Sequence, residues 1–248
     1  MTVIKSAEEV TIMRKSGRIV AAVLERLKKE VKPGVKTKQL DAVAVDELKK
    51  RGAKASFKGY RGYPASLCVS INDEVVHGIP GERVIEEGDI VSLDFGAYVD
   101  GFHSDAAVTV GVGKLNSKAQ ELLDVTEAAL MVGIKTAHCG VYLGDVSAAI
   151  QTYVETRGFS VVREYCGHGI GRDLHEDPQV PNFGLPGNGQ VLKEGVTLAL
   201  EPMVTTGDWR TRLDDNRWTV RTADNSLSAH FEHTIAIGNA EPEVLTVL

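Results

Sequence analysis

Carboxylates interrupt three otherwise apolar stretches of this 248-residue chain. Asp94, Glu201 and Glu232 each stand within a run of Val, Ile, Leu, Ala or Phe. A carboxylate buried without a partner is costly or stays protonated, so such positions are usually paired or bound to a cation. Asp105 follows Asp94 across a predicted hairpin, which can place both side chains on one side of adjacent strands. We therefore interpret these four carboxylates as candidates for a shared site.

Histidines supply further candidate ligands. His77 and His168 are each followed by glycine, and His175 comes shortly after His168. Glycine lets the backbone turn sharply and keeps side chains away from a ligand, so we expect both glycine-flanked histidines in turns. Four carboxylates with one or two imidazoles suit two divalent cations, manganese, iron(II), cobalt or zinc. Such a pair bridges a hydroxide that attacks a carbonyl or phosphoryl centre.

The remaining four histidines are assigned differently. We interpret His138 and His230 as structural, because an isolated histidine more often packs in a protein than reacts. His103 and His233 neighbour candidate carboxylates and could orient them. The chain has no H-E-x-x-H, G-x-S-x-G or G-x-x-x-x-G-K-[ST] motif, and the glycines near His168 lack the dinucleotide-binding spacing.

Composition fits an ordinary globular protein, with 43% hydrophobic and 25% charged residues. The net charge of −6 argues against a dedicated nucleic-acid binder, although residues 1–60 hold 15 basic and 7 acidic side chains. Three cysteines without a C-x-x-C spacing indicate neither a disulfide framework nor a cysteine zinc site. With no signal sequence and no apolar run long enough for a membrane span, we expect a cytoplasmic protein.

Hydrophobic periodicity predicts helices and strands that must position these residues. Ser6 and Glu9 form a capping box before a helix that ends near residue 33, and Thr37 caps a second helix that ends near Gly52. Asp100 and Gly101 form a predicted hairpin turn. Further helices are predicted over residues 117–137 and 145–157. Strands are predicted over residues 67–71, 90–95, 102–110, 159–162, 196–200, 218–221 and 228–237, with a surface loop over 178–189.

The order of two helices followed by strands occurs twice, and short segments repeat with it. Residues 87–94 match residues 194–201, and His77-Gly78-Ile79 matches His168-Gly169-Ile170. We therefore expect one α+β domain over residues 1–248. Its two pseudo-symmetric halves, residues 1–115 and 116–248, would present the same chemistry at corresponding strand ends.

Taken together, the motifs resemble those of type I methionine aminopeptidases, and the match runs from about residue 5 to the C-terminus in the right order. The resemblance implies the pita-bread (creatinase/aminopeptidase) fold, with pseudo-twofold symmetry and an antiparallel sheet whose outer face carries the helices. The motifs that carry it lie at residues 59–64, 70–72, 77–80, 94–96, 100–105, 167–172, 175–178 and 201–202.

By this resemblance five residues would be the ligands of two divalent metal ions. Asp105 and Glu232 would bridge the ions, Asp94 would bind one, and His168 with Glu201 would bind the other. Glu201 would also carry a proton from the bridging water. The metal would be cobalt, manganese, iron or zinc.

The resemblance also implies the substrate contacts. His77 and His175 would contact the scissile amide and stabilise the tetrahedral intermediate. The apolar, aromatic and sulfur-containing walls of a methionine pocket would come from Tyr60, Tyr63, Cys68 and Trp218.

Two residues depart from the family pattern at the expected edge of that pocket. Leu174 stands where many members have Phe, and Phe57 stands where some have Cys. Both positions concern the fit of substrates and inhibitors rather than the chemistry.

The expected activity is hydrolysis of the initiator methionine from nascent proteins and peptides when the second residue is small. One alternative is a related pita-bread X-Pro peptidase, although those normally carry an additional N-terminal domain. Another is a non-catalytic binding module with the same fold. We expect a monomer that acts on nascent N-termini and does not bind membranes. The basic residues 1–60 could dock on ribosomal RNA or could simply be two solvated helix faces.

Overall fold

The computed structural model describes residues 2–248. Within these residues the helices are α1 (Ala7–Lys28), α2 (Thr37–Arg51), α3 (Ser117–Thr136) and α4 (Leu143–Glu155), with a short 3-10 helix at Tyr60–Gly62. The strands are β1 (Lys54–Ala55), β2 (Leu67–Ile71), β3 (Glu74–Val76), β4 (Ile90–Val99), β5 (Phe102–Gly111), β6 (Ser160–Val161), β7 (Gly167–Gly169), β8 (Glu176–Val180), β9 (Thr197–Leu200), β10 (Met203–Thr205), β11 (Thr211–Leu213), β12 (Val220–Thr222), β13 (Ser228–His230), β14 (Glu232–Ala236) and β15 (Glu243–Val244). No helix within this range is both long and apolar enough to cross a bilayer.

The helix ends follow the local signals of the sequence closely. Ser6 caps α1 with the predicted capping box, in which its side chain accepts from the Glu9 amide and the Glu9 carboxylate accepts from the Ser6 amide. Thr37 is the first residue of α2 rather than its cap, which is Lys36. Gly52 ends α2 in the left-handed conformation that a residue without a Cβ adopts readily.

A large antiparallel sheet, whose strands differ in length, joins the two halves of the chain. Among the described residues it has nine strands, in the order β1, β4, β5, β14, β9, β7 and β8, with β2 paired to β4 and β15 paired to β14. The pairing of β5 with β14, at Ala107 opposite Glu232, brings the first half of the sequence against the second. Ligand candidates from both halves therefore meet at the centre of one sheet.

Each pair of helices covers one half of the sheet on the same face. Leu93 and Phe95 of β4 pack with residues of α1 and α2, including Leu27. Leu198 of β9 packs with Leu130 and other residues of α3 and α4. Because side chains alternate along a strand, residues next to these apolar ones point to the opposite face, away from the helices.

Besides the cap of α2, three further predictions about local structure were wrong. The strand predicted over residues 228–237 is broken at Phe231 into β13 and β14, which belong to different sheets. Residues 178–180 of the predicted loop belong to β8. His168 lies in β7 rather than in a turn, and its flanking glycines allow close strand packing: a Cβ on Gly167 would collide with the Ala199 carbonyl.

Candidate active site

One row of side chains crosses three strands at the middle of the sheet. Asp94 on β4 lies opposite Ala107 on β5, and Ala107 lies opposite Glu232 on β14. Directly opposed residues point to the same face of an antiparallel sheet, so both carboxylates leave the face that lacks the helices. Asp105 points the same way, because it is two residues from Ala107. The short side chain of Ala107 leaves open space between the carboxylates.

A second row continues onto the neighbouring strands. His168 on β7 lies opposite Ala199 on β9, which lies opposite Thr234 on β14. Since Thr234 is two residues from Glu232, this row and the first share one face. Glu201, two residues beyond Ala199, follows the end of β9 on that face.

The five predicted ligands converge on one point. The ligand atoms of Asp105, His168 and Glu232 all lie within 4.8 Å of one another. His168 Nε2 is 3.7 Å from Asp105 Oδ2 and 3.6 Å from Glu201 Oε1. Asp94 and Glu201 fall outside the closest group of three but line the same cavity. The structure thus brings together the residues that the sequence separates by more than a hundred positions.

The four carboxylates resist ionisation in this setting. Burial raises the pKa of Asp94 to about 7 and that of Glu201 to about 8; a nearby histidine opposes each shift, and the neighbouring carboxylates add to it. Burial likewise raises the pKa of Asp105 to about 7, although a hydrogen bond from Thr234 opposes the shift. The pKa of Glu232 is raised well above its usual value by burial and by its three acidic neighbours.

This donor set fits divalent metal ions. Among residues 2–248, none of the four carboxylates forms an ion pair with a lysine or arginine. Buried carboxylates without a cationic side chain are usually neutralised by protons or by metal. Oxygen donors with one imidazole nitrogen match the preferences of manganese, iron, cobalt and zinc. Asp94, Asp105, His168, Glu201 and Glu232 could hold such ions.

His77 and His175 reach the cavity from different elements. His77 follows β3 with φ of +60°, a left-handed conformation that is uncommon outside glycine and often marks functional residues. The His175 ring lies 4.1 Å from the His168 ring and stacks on Tyr60. Burial, and after it the nearby histidines, lowers the pKa of His77 to about 4 and that of His175 to about 3. Both imidazoles are therefore neutral at neutral pH.

The predicted pocket residues form the walls of the same cavity, whose volume is about 130 Å³. Tyr63 and Trp218 meet edge to face with ring centroids 5.1 Å apart, and Cys68 packs against them. Cys68 lies opposite Asp94 on the neighbouring strand, so the wall adjoins the carboxylates directly. Tyr60 completes the lining. An aromatic and sulfur-containing cavity of this size suits one apolar side chain.

The two residues that depart from the family pattern, Leu174 and Phe57, also line the cavity. His103 and His233, by contrast, bond hydroxyl groups: His103 Nδ1 lies 2.9 Å from Ser56 Oγ, and His233 Nδ1 lies 2.8 Å from Thr246 Oγ1. No carboxylate of the site is within hydrogen-bonding distance of either histidine in the described part of the chain.

One neighbour of the predicted ligands, His230, was interpreted as structural in the sequence, and Arg61, which also lines the cavity, was not singled out. His230, which its surroundings in the sequence mark only as a strand residue, lies with Nε2 3.5 Å from Glu201 Oε2. Its position two residues before Glu232 was the available signal. A spacing of two residues places two side chains on one face only in a continuous strand, and this strand is interrupted at Phe231.

The fold and the site together define a metallopeptidase. Residues 11–239 match the model of metallopeptidase family M24, and the chain belongs to that family.

Within the family, the chain is closely similar to proteins named methionine aminopeptidase. It is 52% identical over 246 residues to "Methionine aminopeptidase 1" of Bacillus subtilis, with 99% of each chain covered. The crystal structure of a methionine aminopeptidase from Thermotoga maritima matches with a TM-score of 0.99 and 48% identity over 100% of both chains. This likeness confirms the expected pita-bread fold, with its mixed helices and antiparallel sheet.

A more distant member shows how far the fold extends. The Xaa-Pro dipeptidase of Bacillus anthracis is 26% identical with a TM-score of 0.78. The structural match covers 99% of our chain but only 62% of that protein. The shared portion is therefore the fold described above, and the remainder of that protein has no counterpart in these 248 residues.

Proposed function

We infer that this protein is a metal-dependent aminopeptidase that removes N-terminal methionine from proteins and peptides. The observation that carries the inference is the placement of five ligand-type side chains on one sheet face, beside a cavity with aromatic and sulfur-containing walls. The relatives named methionine aminopeptidase match over nearly their whole length, which supports the same activity here.

We propose that Asp94, Asp105, His168, Glu201 and Glu232 hold two divalent ions, cobalt, manganese, iron or zinc. When bound, the ions would lower the pKa of a water molecule and polarise the scissile carbonyl. Asp105 and Glu232 are central in the cluster and are suited to bridging.

Side chains of the site would perform the proton transfer, bind the scissile amide and enclose the substrate. Glu201 would accept a proton at a carboxylate oxygen and deliver it to the departing amine. His77 and His175, each neutral, can donate one N–H to the oxygen or nitrogen of the scissile amide. Tyr60, Tyr63, Cys68 and Trp218 would enclose the methionine side chain and hold the bond in line with these groups.

A peptide series tests the function. Protein stripped with a chelator and reloaded with Mn²⁺ or Co²⁺ should release methionine from a Met-Ala-Ser peptide and leave a Met-Lys peptide intact. The stripped protein is the control and should be inactive. Cleavage confined to X-Pro peptides would favour the dipeptidase alternative, and metal binding without hydrolysis of any peptide would favour a binding module. The complete ligand set speaks against the latter, and the match over nearly the whole length of relatives named methionine aminopeptidase speaks against the former.

We further propose that residues 1–248 act as one catalytic domain and as a monomer on nascent chains in the cytoplasm. The free thiols of Cys68, Cys139 and Cys166 are in keeping with a reducing compartment. Docking of the basic residues 1–60 on the ribosome remains a separate proposal. Co-sedimentation with ribosomes that ignores both salt and Lys-to-Glu changes in this segment would contradict it.

A further inference from the structure

His230 is a buried histidine without a hydrogen-bond partner. Its exposed fraction is 1%, and neither ring nitrogen has a partner among the described residues. Leaving a buried donor unsatisfied costs about 1–3 kcal/mol. An imidazole in this state inside an otherwise well-paired core indicates a role that the fold alone does not require.

The side chain that faces this imidazole is Glu201. His168 Nε2 lies 3.6 Å from Glu201 Oε1, and His230 Nε2 lies 3.5 Å from Glu201 Oε2. The carboxylate is thus placed between two imidazoles, one at each oxygen. The contact with His230 exceeds an ordinary N–H···O hydrogen bond by only a few tenths of an ångström.

The two imidazoles are not equivalent. His168 lines the cavity, whereas His230 does not. His230 comes from β13, in a different sheet from the strands that carry the predicted ligands. The strand is interrupted at Phe231, and this interruption allows His230 and Glu232 to approach the site from two directions.

We propose that His230 is a positioning residue that donates its Nε2–H to the Glu201 oxygen farther from His168. This role rests on the proposed function only in that Glu201 is a metal ligand and proton carrier there. This hydrogen bond would fix the rotation of the carboxylate and leave its other oxygen free to bind a metal ion. Groups that orient a metal ligand in this way typically change metal affinity or activity by about 10- to 100-fold when removed.

Two substitutions separate this role from simple packing. His230→Gln keeps an N–H donor near the Nε2 position, whereas His230→Leu keeps bulk and removes the donor. We expect the Leu variant to bind Mn²⁺ about 10- to 100-fold more weakly by calorimetric titration of the stripped protein. Its kcat should fall by a similar factor with KM for Met-Ala-Ser little changed. The Gln variant should recover most of both losses.

His233→Leu is the matched control. His233 lies three residues after His230, and its imidazole bonds Thr246 on the face of the strand opposite to Glu232. Its removal should leave Mn²⁺ affinity near that of the unmodified protein. Circular dichroism and thermal unfolding would establish that each variant folds. Normal Mn²⁺ affinity in a folded Leu variant, or equal losses in the Leu and Gln variants, would overturn the proposal. The calorimetric result stands even if the unmodified protein releases no methionine, in which case the proposed function fails separately.

Discussion

At the scale of single residues, Glu201 has the most demanding position. It follows the end of β9, is mostly buried, and faces one imidazole at each oxygen. In the roles proposed for it, metal ligand and proton carrier, Glu201 would benefit from two oxygens in different surroundings. The bracketing histidines provide the asymmetry that separates the two oxygens.

Substituting Glu201 by Gln should therefore remove proton transfer while keeping the shape of the side chain. We expect kcat on Met-Ala-Ser to fall by about 10²- to 10⁴-fold. Steady-state kinetics with saturating Mn²⁺ would measure this. Glu121→Gln on the exposed surface of α3 is the control and should retain full activity. A Glu201→Gln enzyme within a few-fold of the original kcat would show that another group carries the proton.

At the scale of elements, a buried ion pair ties the N-terminal segment to the start of β8. Lys5 Nζ lies 2.5 Å from Glu176 Oε2, and both side chains are buried. Glu176 directly follows His175, so the pair fixes the segment that carries a predicted substrate contact. The Lys5 amide also donates to the Gly195 carbonyl, which anchors the segment to the loop before β9.

Replacing Lys5 by Met should leave Glu176 buried without its cation. Breaking one partner of such a pair typically costs about 3–5 kcal/mol. Urea unfolding would measure the loss. Lys15→Met is the control, because Lys15 pairs with Asp100 on the exposed surface, and such pairs contribute about 1 kcal/mol or less. Equal losses in both variants would contradict the structural role of Lys5.

Much of this element framework could be predicted from the sequence, for identifiable reasons. The capping box at Ser6 and the turn at Asp100 and Gly101 depend on neighbours in the chain, and both form as expected. The strand break at Phe231 and the role of His230 depend on which sheet each segment joins. That choice is made by distant partners, Met203 for His230 and Ala107 for Glu232, so no local pattern encodes it.

At the scale of the whole molecule, the four buried carboxylates couple stability to metal and pH. Their pKa values in the folded protein exceed those of unfolded Asp and Glu, about 3.9 and 4.3. At pH values between the unfolded and the raised folded pKa values, the folded state binds more protons than the unfolded state. The free energy of unfolding therefore falls as pH rises through this range. Buried histidines with lowered pKa act in the opposite direction, but only below about pH 6.5, where unfolded histidine titrates.

The stripped protein should therefore lose thermal stability between about pH 6.5 and 8, where the four carboxylates are the main groups that titrate differently in the folded and unfolded states. Protein saturated with Mn²⁺ should not show this decline, because the bound cations stabilise the ionised carboxylates. Differential scanning calorimetry across this range would compare the two forms. A midpoint of the stripped protein that stays level or rises with pH would contradict the assignment of these groups as uncompensated buried acids.

The seam between β5 and β14 also has a consequence for how the chain folds. Asp94 and Asp105 come from strands before this seam, while His168, Glu201 and Glu232 come from strands after it. The paired residues Ala106 and His233 are separated by roughly half of the sequence, so this strand pairing is strongly non-local and we expect it to form late in folding. A chain with only one half formed has at most part of the ligand set. We therefore expect tight binding of metal ions to follow the pairing of the two halves of the chain.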